Sequence, residues 1–349
     1  MKYSRLVKIW LVLGVVMLFF QIVIGGITRI TGSGLSITKW EIITGTLPPL
    51  SETRWLEEFD LYKETPQFEM INMDMKMGSI FKVGTFKFIY FWEYLHRLWA
   101  RMMGFVFLFP FIFFVFKSLI DKPLIKRLGI VIILTVLAAS FGWIMVASGL
   151  IERPWVNAYK LALHLSIGIS VYAAMLWTTF YGFSLPRLKN SKISSTLNFF
   201  LIVLCLQIFF GGVMSGMKAG LFYPTWPDMN GSYVPEVIFN SEMYTLDNFN
   251  NYDKNELLPG LIQSIHRLTA YLLFFFGLYV MRKIYSMETK VSRIQAILIS
   301  LLLVVQMIIG ILTVINCQGS IPILYGILHQ IFAIFLLSSV LWTRYTWSR

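Results

Sequence analysis

Eight apolar stretches, each about twenty residues or longer, leave this chain very few folds. They run near 8–29, 90–116, 127–149, 158–181, 196–216, 261–281, 294–314 and 323–344. A helix rises about 1.5 Å per residue, so each run is long enough to cross roughly 30 Å of hydrocarbon. Only 14% of the residues are charged, where a soluble domain carries roughly 25%. The fold class that follows is an all-α integral membrane protein with eight transmembrane helices.

The net charge of +12 resolves by position. The N-terminus, the loops near 117–127, 182–195 and 282–293, and the C-terminus hold 16 Lys and Arg against two acids; the remaining segments hold 14 against 16. That is the positive-inside bias, with both termini in the cytoplasm, and it leaves nothing for a nucleic-acid partner to explain. Lys2, Arg5 and Lys8 precede the first apolar run, but no small-residue cleavage site follows. The run continues instead into Gln21 and Gly25-Gly26, a motif used again later, so it reads as a retained helix and not a signal peptide.

The outward-facing loops alternate long (30–89, 217–260) and short (150–157, 315–322), the signature of a duplicated four-helix unit. Gln21, Gly25-Gly26, Gly34-Leu35 and Trp40 recur at identical spacing as Gln207, Gly211-Gly212, Gly220-Leu221 and Trp226. His96-Arg97 recurs as His266-Arg267, and His164 finds its counterpart in His329. Because four is even, the second copy enters from the same side as the first and the repeats are parallel. The division predicted is a bundle over 1–188 and a second over 189–349. The glycine pairs read first as positions of close helix approach. Gln21, Gln207 and Gln306 each lie four residues before a glycine (Gly25, Gly211, Gly310). A buried amide needs a partner, so each is expected to hydrogen-bond across helices or to a bound polar group. Ala138, four before Gly142, breaks that pattern.

The chain has only four histidines. His96, His164, His266 and His329 each fall about two turns inside the same-facing end of a span. Histidine is costly in a bilayer, and a single one is readily a core residue satisfied by a neighbour. Four at matched depth point to ligation instead. Two imidazoles from facing helices suit the axial positions of a haem held in a bundle core, and no Cys/His cluster of the kind structural zinc requires is present. Arg97 and Arg267 can each pair a haem propionate through a planar fork, or snorkel to headgroups. Glu93 lies three residues before His96, on the same helix face; Gln263 holds that position before His266. A carboxylate there can move a proton or stabilise positive charge; it can equally be an interfacial residue paired with Arg97 or Lys87. The difference assigns chemistry to the first half and a resident electron-transfer haem to the second.

Cys205 lies mid-helix, roughly 16 Å below the outer end of its span, and Cys317 near an outer loop, so depth argues against a disulfide. Cys205 reads as a small packing residue and Cys317 as an inert thiol, with a reactive one as the alternative. Met70, Met73, Met75 and Met77 admit a copper reading, against flexible apolar side chains that anchor or cover. The first outer segment, some sixty residues rich in aromatics, is long for a tether and reads as a functional cover.

At this point the residues resemble the heme A synthase family. The resemblance rests on Glu93-Tyr94-Leu95-His96-Arg97, the stretch from Gly142-Trp143 to Ser148-Gly149-Leu150, Leu161-Ala162-Leu163-His164-Leu165 and Ser264-Ile265-His266-Arg267. It extends to Phe59, Tyr62-Lys63, Pro66-Gln67, Asn72, Phe86-Lys87 and Trp92 in the first outer segment, and covers nearly the whole chain. The family's activity is oxidation of a ring methyl of haem O to a formyl group, giving haem A for cytochrome oxidase. The resemblance implies haem O as substrate on His96 and His164, haem b as cofactor on His266 and His329, and Glu93 as the catalytic glutamate. On that picture the methyl loses electrons and a proton, water captures the cation, and a second round yields the aldehyde. Some members carry a cysteine pair in the first outer loop; this chain has none. Partners expected are the lipid bilayer, the enzyme that makes haem O, an electron acceptor and possible further copies of the chain. The expected location is the bacterial inner membrane, with the haem sites near its outer face. Two rival readings use other functions: a di-haem electron-transfer cytochrome, which leaves the Glu93/Gln263 difference unexplained, and a two-repeat transporter, which an almost uncharged midplane disfavours.

Overall fold

The computed structural model describes residues 3–39, 47–149 and 154–348, with Ser148 and Gly149 described by backbone alone. Trp40 and Leu150 of the motifs above lie outside the described residues, as do the side chains of Ser148 and Gly149. Among the described residues there are eleven α-helices, α1 (Arg5–Ile30), α2 (Glu52–Lys63), α3 (Pro66–Ile71), α4 (Phe86–Phe116), α5 (Lys122–Gly149), α6 (Ala158–Gly182), α7 (Ser191–Met217), α8 (Leu246–Asn250), α9 (Leu257–Tyr285), α10 (Lys290–Ile315) and α11 (Ile323–Thr346). Eight of these, α1, α4 to α7 and α9 to α11, are long and apolar enough to cross a membrane. The chain is an all-α, multi-pass membrane protein, and no strand occurs among the described residues.

The spans are where the apolar runs predict them, but most helices begin about a turn earlier. At α7 and α10 the added turn is polar and held by a local cap: Asn190 accepts from the Ile193 N–H to start α7, and Thr289 and Ser292 form a reciprocal capping box at α10. α4 starts at Phe86 because Phe86, Ile89 and Tyr90 are buried against the segment that contains Phe59 and Tyr62.

Tyr3–Met175 forms one compact unit and Leu176–Arg349 the body of another. In the first, α1 and α4 pack tightly: Trp10 stacks on Phe107 at 4.6 Å and its indole N–H donates to the Val106 carbonyl. A Cβ on Gly14 would come within 2.7 Å of Met175 and 2.8 Å of Phe107, so three helices meet only because that position lacks a side chain. Over the Phe86 end of α4 sit α2 and α3, closed around buried Phe59, Tyr62, Phe86, Ile89 and Tyr90. Tyr62 donates to Gln67 Oε1 and accepts from Asn72 Nδ2, while Gln67 Nε2 donates to the Gly32 carbonyl beyond α1. Burial pushes the Tyr62 phenol up to about 12, so it stays neutral and serves as a donor. Met75 and Met77 pack on this cluster, whereas Met70 and Met73 are exposed.

Tyr62→Phe removes the hydroxyl that links Gln67 to Asn72, a loss of about 1–3 kcal/mol for partners left unsatisfied. The expected outcome is faster protease cleavage within 64–78 while the spanning helices remain intact. Cleavage at the wild-type rate would show that the phenol does not lock this segment.

In the second unit α7, α9, α10 and α11 close a ring, each packed on the next and α11 back on α7. Its interior is aliphatic and aromatic, with Phe200, Leu204, Leu273, Ile299, Leu303, Ile334 and Leu337 buried. At the basic end, buried Gln295 donates to Thr346 and accepts from the Trp347 indole. Cys205 corrects the packing expectation: it is exposed on α7, on a surface it shares with exposed Ile202 and Leu206. Cys317 is buried, its thiol donates to the Thr313 carbonyl, and burial raises it to about 11. A buried, protonated thiol is unreactive.

Candidate functional site

The second unit brings His266 of α9 and His329 of α11 together, with ring centroids 6.4 Å apart and planes at 68°. Each ring is gripped by a glutamine from a neighbouring helix. Gln207 Nε2 donates to the His266 backbone carbonyl at 3.0 Å and lies 3.2 Å from the ring Nε2; Gln306 does the same to His329 at 3.1 and 3.3 Å. The predicted inter-helix role of these amides is met. On both rings the second nitrogen, Nδ1, is buried without a hydrogen-bond partner.

The first unit repeats this arrangement with one change. Gln21 Nε2 donates to the His96 carbonyl at 3.3 Å and lies 3.2 and 3.3 Å from its ring nitrogens. His164 of α6 has no glutamine; its Nδ1 meets the backbone carbonyl of Ala138 on α5 at 3.0 Å. A carbonyl can only accept, so Nδ1 carries the proton and Nε2 keeps the lone pair a metal needs. His164 lies within electrostatic reach of His96.

These residues fit an iron porphyrin. The Gln207 and Gln306 amide nitrogens, which only donate, face Nε2 of His266 and His329, so in the neutral ring that nitrogen carries the lone pair a metal needs, as it does in His164. Two imidazoles bound to one metal at about 2 Å from each nitrogen have centroids roughly 6 Å apart, close to the separation observed. No group of three or more His, Cys, Asp or Glu converges among the described residues, so a metal held by protein ligands alone is not served.

One turn earlier on the same helix, the residue three before each first histidine ties down the loop leaving the preceding spanning helix. Glu93 is 3% exposed. Its Oε2 accepts from the Ser36 N–H at 2.7 Å, the Ser36 hydroxyl at 2.7 Å and the Ile37 N–H at 3.0 Å, and its Oε1 from Arg97 Nη2 at 2.6 Å. In the second unit, fully buried Gln263 donates its amide to the Tyr223 carbonyl at 2.9 Å. Tyr223 stands where Ile37 does, at the spacing that relates Gln21 to Gln207. The two loops are thus held with opposite polarity: a carboxylate collects N–H groups in one, an amide N–H seeks a carbonyl in the other. The arginines follow the same plan. Arg97 reaches the carbonyls of Ile37 and Lys39, and Arg267 those of Tyr223, Thr225, Pro227 and Asp228.

The sequence profile of the cytochrome oxidase assembly proteins, COX15-CtaA, matches residues 8–341. The chain belongs to this family. It is similar to the heme A synthase of Flavobacterium johnsoniae, with 35% identity covering 100% of this chain and 99% of the relative. The heme A synthase of a Wolbachia pipientis strain from Culex pipiens is 38% identical, with 97% of each chain covered. That of Nitrosospira multiformis is 34% identical over 97% of this chain and 92% of its own length.

For this member of the family, the backbone partners escape a reading of side chains. Ser36 and Ile37 serve Glu93 through N–H groups and Ala138 serves His164 through a carbonyl, and a residue name does not reveal either.

Proposed function

We propose that this chain is a heme A synthase, an oxidoreductase that converts a ring methyl of haem O into the formyl group of haem A. The reading is carried by two histidine pairs in a chain whose full-length relatives bear that name. His96 and His164 would hold the substrate haem O in the first bundle, and His266 and His329 a haem b in the second. A haem with two histidine ligands supplies one-electron redox capacity when bound. The bundles would be parallel repeats, divided between 1–188 and 189–349.

Glu93 is the catalytic candidate. Its Oε2 is saturated by the 36–37 loop and only Oε1, shared with Arg97, has lone-pair capacity left. Any stabilisation of positive charge or uptake of a proton would therefore work through Oε1. Arg97 and Arg267 are the propionate candidates. Arg97 borders a small cleft with Lys39, Arg101 and Glu58, where three cations against one carboxylate leave a net positive setting for a propionate. The terminal N–H groups of Arg267 face loop carbonyls, so its Nε is the donor left for an anion. The oxygen of the product would come from water, which places water access at the first site.

The chain would lie in a bacterial inner membrane with both termini cytoplasmic and both sites near the outer face. Haem O synthase would deliver a substrate too apolar to pass through water, and a separate acceptor would remove the electrons; copies of the chain could associate. The deciding experiment is haem extraction and chromatography from protein made with and without a co-expressed haem O source. Haem A, or its hydroxylated precursor, should appear only with that source. Haem b alone in both preparations, at two per chain, would favour the electron-transfer cytochrome.

A further inference from the structure

Every histidine ring of this protein rests against a helix backbone at a glycine. A Cβ built on Gly25 would lie 2.9 Å from Cε1 of His96, one on Gly142 3.0 Å from Cε1 of His164, one on Gly211 3.1 Å from Cε1 of His266, and one on Gly310 2.9 Å from Cε1 of His329. Carbon atoms in good contact sit about 3.5–4.0 Å apart, so any side chain at these positions would push the ring away. The same ring atom is met each time, and four different helices, α1, α5, α7 and α10, supply the glycine.

Other helical glycines do not share this geometry. Gly104, Gly129 and Gly168 have nothing within 4 Å; Gly277 and Gly14 are at least as tight, but what they meet is apolar, Leu303 and Phe200 in one case and Met175 and Phe107 in the other. A second grip acts one turn before each seat: the amides of Gln21, Gln207 and Gln306, and the Ala138 carbonyl in α5. The glycine limits how far the ring can approach the helix, and the polar group limits how it can rotate. Groups around a metal ligand commonly set its orientation in this way.

We infer that Gly25, Gly142, Gly211 and Gly310 are positioning residues, each a seat that fixes the depth and rotation of one haem-ligating imidazole. This rests on the haem-ligand reading above. The glycine pairs therefore do more than bring helices together: one member of each pair, and the lone Gly142 and Gly310, shape the iron-binding position.

The test uses the full-length protein in detergent, with Gly211→Ala and Gly310→Ala compared with Gly168→Ala, whose position is open. Haem per chain, the visible spectrum and the low-temperature electron paramagnetic resonance spectrum are recorded. The seat variants should bind haem about 10-fold more weakly or worse, and the haem that remains should show shifted low-spin g values. Gly168→Ala should match the wild type. Wild-type haem content and g values in both seat variants would overturn the inference. Wild-type protein without haem would remove the ligand reading itself, and this inference with it. Should Gly211→Ala fail to accumulate, the pair with His266→Ala decides. If the clash with the ring is the cause, Gly211→Ala/His266→Ala should melt where His266→Ala alone does. If the alanine lowers the melting temperature equally in both backgrounds, the seat is general packing and the inference fails.

Discussion

Protein carrying His266→Ala or His329→Ala should be isolated without the haem of its second unit and should form haem A only at background level. His96→Ala and His164→Ala should keep that haem and lose the product alone. The expectation follows from how few ligands each site has. The second pair stands 6.4 Å apart, and no third histidine, cysteine or carboxylate joins it among the described residues. Substitutions that merely reorient a ligand cost about 10–100-fold in metal affinity, and deleting the ligand should cost at least that. Contacts to the second pair come from α7 and α10 through Gln207, Gly211, Gln306 and Gly310, none of which a change at His96 or His164 touches. Haem per chain by pyridine haemochrome, with chromatography of the extract, separates the outcomes. Full haem content in His266→Ala would remove that residue as a ligand. Loss of all haem in His96→Ala would mean that the resident haem sits in the first unit.

The parts of this architecture that were legible in the sequence are those where a residue type is expensive in its surroundings. Long apolar runs marked the spans, and four histidines and three glutamines at matched depth marked the candidate sites, because lipid gives a polar side chain no other partner. Helix ends were less legible: the capped polar turns at Asn190 and Thr289 continue a helix beyond the hydrocarbon, where hydropathy no longer reports it. Ala138 read as a gap in the glutamine pattern, yet its carbonyl does the gripping. The glycines read as helix-packing positions because the ring that needs each gap comes from a distant stretch of chain. The Glu93/Gln263 difference was visible as a difference in chemistry; that both residues secure the same loop position required the backbone directions of residues 36–37 and 223.

Glu93→Gln should lower product formation at least about 100-fold, the scale on which removing a placed charge or acid–base group acts, and should also loosen the outer loop. The carboxylate is buried and accepts four hydrogen bonds through two oxygens; glutamine offers one oxygen. If that oxygen faces Ser36 and Ile37, the new amide N–H group points at the Arg97 guanidinium. If it faces Arg97, two backbone N–H groups and the Ser36 hydroxyl meet a donor. Each unsatisfied buried group costs about 1–3 kcal/mol, and breaking a buried ion pair about 3–5 kcal/mol; with Arg97 12% exposed, the lower end applies. A melting temperature several degrees down, with faster cleavage near 33–39, should therefore accompany the loss of activity. Gln263→Glu, which aims a carboxylate at the Tyr223 carbonyl, should loosen the other loop without touching the first site. Glu93→Asp separates the two roles, since it keeps the charge but withdraws it by one methylene. If the carboxylate acts on the substrate directly, activity should fall in Glu93→Asp even where the loop's protease resistance is kept. If it acts only by holding Ser36, Ile37 and Arg97 in place, activity and protease resistance should fall together across the variants. Wild-type product yield from Glu93→Gln would leave the carboxylate no catalytic part, and the difference from Gln263 would then be one of loop anchoring alone.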